Sequence, residues 1–129
     1  MSSPFRSWNG VEPFEFAAGI RLHAIGGEQL LLCRVTYEPG KRIPLHHHEA
    51  TEQVMVVVDG SVDMAIEGKW KTLRAGDVVV VNRGLEHELH SEGGVTFFEA
   101  LAPVPLDHVP DAERDLVLGP DGGALHVER

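Results

Sequence analysis

Cysteine is almost missing from this 129-residue chain: Cys33 stands alone. No intrachain disulfide can form, and a reducing compartment is expected. Long apolar runs are missing too, since none approaches the roughly 20 residues that a membrane helix needs. Met1–Gly10 lacks the apolar core of a signal peptide, so a cytoplasmic location is expected. Positive charge is in deficit, with 11 Lys and Arg against 20 Asp and Glu and a net charge of −9. That balance argues against nucleic acid and anionic membranes as partners. No segment demands a helix, and neither an internal repeat nor a low-complexity tract is present.

What the chain does have is strand signal. Short β-branched runs alternate with turn residues at intervals of roughly ten, the pattern of an all-β sandwich or barrel. The expected strands are Ile20–Ile25, Gln29–Tyr37, Arg42–His48, Glu52–Val58, Ser61–Glu67, Trp70–Leu73, Asp77–Val81, Glu86–Ser91 and Val95–Ala102. Gly and Pro pairs punctuate them, and Asp59-Gly60 between two apolar runs is the strongest hairpin signal. The length suits one domain with its own core. The expected division is an N-terminal extension over 1–18, a barrel over 19–102 and a C-terminal extension over 103–129. The last of these would pack on the barrel or on a partner subunit.

Two spaced sets of residues carry the chemistry. The first is Gly40, His46, His48, Gln53 and Gly60; the second is Gly76, Gly84 and His87. Residues two apart on a strand share a face and stand about 6.5 Å apart along it. His46 and His48 can therefore converge on one ion, at about 2.0–2.1 Å for zinc, while His47 faces away. The fourth ligand is Glu52 or Gln53. A two-residue turn at Asp59-Gly60 would pair Val57 with Val62, Met55 with Met64 and Gln53 with Ile66. With Gln53 inward, Met55, Val57, Val62, Met64 and Ile66 form a continuous apolar wall. With Glu52 inward, Ser61 and Asp63 come inside, so Gln53 is the better choice. His87 follows the apolar run Val78–Val81 and shares its face with Leu89.

The chain resembles the cupin superfamily over about Gly19 to Ala102. The first family motif, Gly-x5-His-x-His-x3/4-Glu-x6-Gly, is matched by Gly40, His46, His48, Gln53 and Gly60. The second, Gly-x5-Pro-x-Gly-x2-His-x3-Asn, is matched by Gly76, Asn82, Gly84, His87 and Ser91. Gln53 replaces the usual Glu, Asn82 the Pro and Ser91 the Asn. The resemblance implies a jelly-roll barrel holding one divalent ion (Zn, Ni, Mn, Co or Fe) on His46, His48, Gln53 and His87. Three imidazoles and an amide would leave that ion its full charge and make it a stronger Lewis acid. The chain is similar, more narrowly, to cupins that open unsaturated uronate sugars and to cupin-type polyketide cyclases.

Three functions are open. The first is a non-redox metalloenzyme, a cyclase, isomerase or lyase acting on a carbonyl or enol substrate. Its base would be a water on the ion, with Tyr37 and Glu99 as weaker candidates. Met55, Val57, Met64, Ile66 and Leu89 would line the pocket, with Phe97 or Phe98 depending on parity. Such a wall favours an aromatic or polyketide-like substrate over a sugar acid. The second is an iron-dependent dioxygenase, and the third a non-catalytic small-ligand-binding protein. Trp8 and Trp70 are read as packing or interface residues. Val54, Val56 and Val58, apolar on the outer face, suggest a homodimer. His23, His90, His108 and His126 have no motif support.

Overall fold

Alternation of buried and exposed residues along β2 and β3 builds the inner wall of a curled sheet. The computed structural model describes residues 4–27, 29–103 and 127–128. Its strands are β1 (Phe14–Ala17), β2 (Ile20–Gly26), β3 (Leu31–Tyr37), β4 (Lys41–His46) and β5 (Glu52–Ile66). They continue with β6 (Lys69–Arg74), β7 (Val78–Val81), β8 (His87–Ser91), β9 (Val95–Ala102) and β10 (Val127–Glu128). Among the described residues the one helical segment is a 3-10 turn at Trp8–Gly10. None is a helix long and apolar enough to cross a membrane.

Strand order is β1-β2-β3-β9-β5-β8-β4, with β6 and β7 also on β5 and β10 on β2. Every ladder is antiparallel except β10 with β2. The result is a jelly-roll barrel in which β5 serves two layers. Its first part pairs with β9 and β7, its second with β8 and β6. Ile20, Leu22 and Ala24 of β2 lie opposite Tyr37, Val35 and Cys33 of β3, and all six are buried. Phe97 and Leu101 extend that layer from β9.

Asp59-Gly60 does not turn. The strands expected on either side of it are one strand, and the hairpin lies instead at Glu67-Gly68, where Ile66 pairs with Lys69. Both turn residues have positive φ, 49° and 78°, as a two-residue hairpin requires. Gly60, with φ 75°, sits where β5 passes close to Gly94. A Cβ there would run into the Gly94 carbonyl oxygen. Opposite β9 the register slips by one residue between Val57 and Asp59, a bulge that reverses the strand's facing. Gln53, Met55 and Val57 point inward before it, Val62 and Met64 after it.

Phe98 and Trp8 pack together outside the barrel, ring centroids 5.9 Å apart, with the Arg34 guanidinium over Trp8 at 5.8 Å. Phe97 is thus the inward aromatic and Phe98 the outward one. Val54 and Val80 are paired across β5 and β7. Together with Val58 and Val78 they expose an apolar stripe on the outer face.

Candidate metal centre

Three histidines reach one place by three different local devices. β4 pairs with β8 so that Ile43 opposes Leu89 and His46 opposes His87, with a one-residue slip between them. The slip turns Leu45 out to solvent and His46 in; uninterrupted alternation from Ile43 would have done the reverse. His48 was expected on the same strand, but β4 ends at His46. Its place is fixed instead by its carbonyl, which accepts from the Gly84 amide at 2.8 Å. That bond ties the two spaced sets of residues together. His48 is buried, whereas His47 is exposed and meets Glu49 at 2.7 Å. His87 opens β8 at 1% exposure, with Leu89 and Ser91 on its face.

The rings of His46 and His87 have centroids 4.2 Å apart, and His48 lies 5.3 Å from the first and 5.2 Å from the second. One nitrogen from each falls within 4.8 Å of the others, so the three could hold a metal ion. His46 Nδ1 donates to the Pro44 carbonyl at 2.7 Å, and His87 Nδ1 to the Leu85 carbonyl at 2.9 Å. A carbonyl only accepts, so each proton is on Nδ1 and each lone pair on Nε2. Backbone partners of this kind orient metal-binding imidazoles.

Gln53 is 4% exposed, while Glu52 beside it is exposed. The Gln53 Nε2 donates to Glu99 Oε2 at 2.6 Å, and its Oε1 is buried with no hydrogen-bond partner. A buried carbonyl oxygen left without a donor is costly, and a cation is one group that satisfies it. This orphan oxygen fits a metal ligand. Glu99 takes an inward position on β9 between Phe97 and Leu101, opposite Cys33 and Met55. Burial pushes its carboxyl up to about 7. Burial first, and then Glu99, raise the Tyr37 phenol and the Cys33 thiol, so both stay protonated. Tyr37 can therefore donate a hydrogen bond but is no base near neutral pH.

His46, His48, Gln53, His87, Glu99 and Tyr37 all line one cavity of about 390 Å³. Its remaining wall is apolar, from Phe16 of β1, Ile20 and Leu22 of β2, Val35 of β3, Ile43 and Pro44 of β4, and Phe97 and Leu101 of β9. Residues 33–100 match the family described as cupin domain. The chain is a cupin. Among curated proteins it is 25% identical over 92 residues to the tetracenomycin polyketide synthase protein TcmJ of Streptomyces glaucescens. That match takes in 67% of this chain but only 62% of the relative. An oxalate-binding protein of Thermotoga maritima is 28% identical, over 75% of this chain and 79% of its own length. Among solved structures, KdgF from Halomonas sp. superposes with a TM-score of 0.73 at 21% identity, over 79% of this chain and 94% of that one.

The cupin's cavity wall differs from the expected one. Of the five residues assigned to it, Leu89 lines the cavity, but Met55, Val57, Met64 and Ile66 do not. Met55, Val57 and Met64 belong to the packed core, and Ile66 packs against it opposite His87. The expected wall assumed two arms of a hairpin side by side. In the continuous β5 those side chains instead fill the interior, and the open space lies against β2, β3, β4 and β9. Inward parity on β2, β3 and β9 was the signal that could have found the true lining. Phe16 had none, because β1 is a short edge strand with no strong pattern.

Proposed function

We propose that this cupin is a metal-dependent enzyme performing non-redox Lewis-acid chemistry on a carbonyl or enol substrate. Cyclisation, ring opening and isomerisation all belong to that class. The cavity carries the reading: among the described residues, its ionisable lining groups apart from the histidines are Tyr37 and Glu99, with no Lys or Arg. His46, His48, Gln53 and His87 would hold one divalent ion. Its contribution there is to polarise a substrate oxygen and stabilise the charge that develops on it. Leu22, Val35, Ile43 and Phe97 exclude water and favour a substrate with apolar or aromatic body. Tyr37 supplies a protonated hydroxyl for orientation.

A sugar acid or a small dicarboxylate such as oxalate needs cationic partners for its carboxylate. Among the described residues the lining offers none, and Glu99, when ionised, would repel one. A neutral, polyketide-like or aromatic ketone fits better, which agrees with the polyketide synthase relative more than with the oxalate-binding one. To test this, zinc- or cobalt-loaded protein is assayed under argon with aromatic β-diketones, poly-β-ketone thioester mimics and an unsaturated uronate. We expect conversion of a ketone at the same rate with and without oxygen, and none of the uronate. Turnover that stops without oxygen would select the iron-dependent dioxygenase instead. Tight binding with no conversion of any compound would select a carrier.

We further propose that a second copy of the chain covers the outer stripe of Val54, Val58, Val78 and Val80. Contiguous apolar patches of this kind are uncommon on monomers. Val80, 51% exposed, tolerates a charge only if nothing covers it. Val80→Asp should convert a dimer into a monomer by light scattering, with its circular dichroism unchanged. A wild-type monomer at micromolar concentration would rule the arrangement out.

A further inference from the structure

An amide offers a metal either end, and only its oxygen is a ligand of the expected kind. In this cupin the choice between the two ends is made by a neighbour. Glu99 Oε2 accepts from Gln53 Nε2 at 2.6 Å, and the Met55 thioether, a weak acceptor, lies 3.8 Å from the same nitrogen. Ionised, Glu99 has no proton for the amide oxygen, so the NH2 end is held on its side. The oxygen is thereby left buried, without a partner. We infer that Glu99 is a positioning residue for the metal centre: it fixes the Gln53 amide with Oε1 toward the histidines and supplies, one group further out, the negative charge that a glutamate at position 53 would bring directly.

The inference rests on the ligand set proposed above and changes its electrostatics. Taken alone, three imidazoles and an amide are neutral. With Glu99 bonded to the amide NH2, the Gln53 carbonyl oxygen is polarised toward the ion, and the site carries a counter-charge without a carboxylate on the metal. Gln53 and Glu99 then act as one unit. The carboxylate is reached from β9 and the amide from β5, at neighbouring positions of a single ladder where Gln53 opposes Leu101 and Met55 opposes Glu99.

A double-mutant cycle on cobalt(II) affinity, measured by chelator competition, separates this role from simple packing. Glu99→Gln removes the charge and frees the amide to turn over. It should weaken cobalt about 10- to 100-fold, the usual cost of losing an outer partner, and shift the visible cobalt absorption bands. In a Gln53→Ala background the same change should cost clearly less, only the through-space part of the charge remaining. The exchange Gln53→Glu with Glu99→Gln, which restores one carboxylate and one amide, should recover most of the affinity. Thermal melts of the metal-free variants establish that each is folded, and the exchange variant keeps the test valid if Glu99→Gln alone is not. Wild-type affinity in Glu99→Gln, or a loss just as large without Gln53, overturns the inference and leaves the ligand set standing. Wild-type protein that binds no cobalt overturns the ligand set itself, and the positioning role with it.

Discussion

Gly60→Ala should destabilise the protein by about 3 kcal/mol or more, whereas Gly76→Ala should cost about 1–2 kcal/mol. Both glycines hold left-handed backbone, with φ of 75° and 95°. An alanine pays roughly the same 1–2 kcal/mol for that conformation at either place. The surroundings differ. Nothing lies within 4 Å of a Cβ on Gly76, while one on Gly60 meets the Gly94 carbonyl oxygen and sits 3.1 Å from the Val95 Cα. Those atoms are backbone of the β9 edge and cannot rotate away. Relief would require β5 and β9 to separate at Gly60↔Val95 and Asp59↔Thr96, where the bulge sets which side chains face inward. Urea unfolding of the two variants beside wild type is the measurement. Equal losses would mean that the strands part easily and that conformational strain alone matters.

The same glycine marks where the fold was hardest to read. An Asp-Gly pair between apolar runs signals a turn, yet here it serves a close approach of two strands, which depends on a partner over thirty residues away. A hairpin and a one-residue bulge both reverse inward parity between Val57 and Val62. The hairpin argument therefore put Gln53 on the correct face from a wrong geometry and misplaced the pocket wall. His87, Leu89 and Ser91 were legible because β8 is regular and alternation needs no partner to be seen. His46 and His48 were legible as a spacing but not as a shape. The slip at Pro44-Leu45 and the Gly84–His48 bond are set by β8 and the loop before it. Glu99 was legible only as a weak base candidate, because the parity of its strand was open and its bond to Gln53 joins residues 46 apart. Local pattern thus gave the barrel and the donor types. Long-range pairing decided the cavity.

His48→Ala should lose zinc affinity by at least about a hundredfold, beyond the 10- to 100-fold typical of losing an orienting partner, while His47→Ala should bind as wild type does. The two residues are adjacent, identical in chemistry and outside the regular strand, so nothing but facing separates them. His48 is buried beside His46 and His87, with a nitrogen in the three-residue cluster. His47 points to solvent and its ring meets Glu49. Deleting the first removes one of three converging imidazoles. Deleting the second removes an exposed pair of small value. The His48 backbone is unaffected by the substitution, since the Gly84 amide bonds to its carbonyl, so loss of metal in the alanine variant reports the ring rather than the loop. Competition with a chromophoric chelator at fixed pH gives both constants. Similar losses in the two variants would mean that zinc is held by a different face of the His46–His48 segment, and the assignment of His48 to the centre would fall.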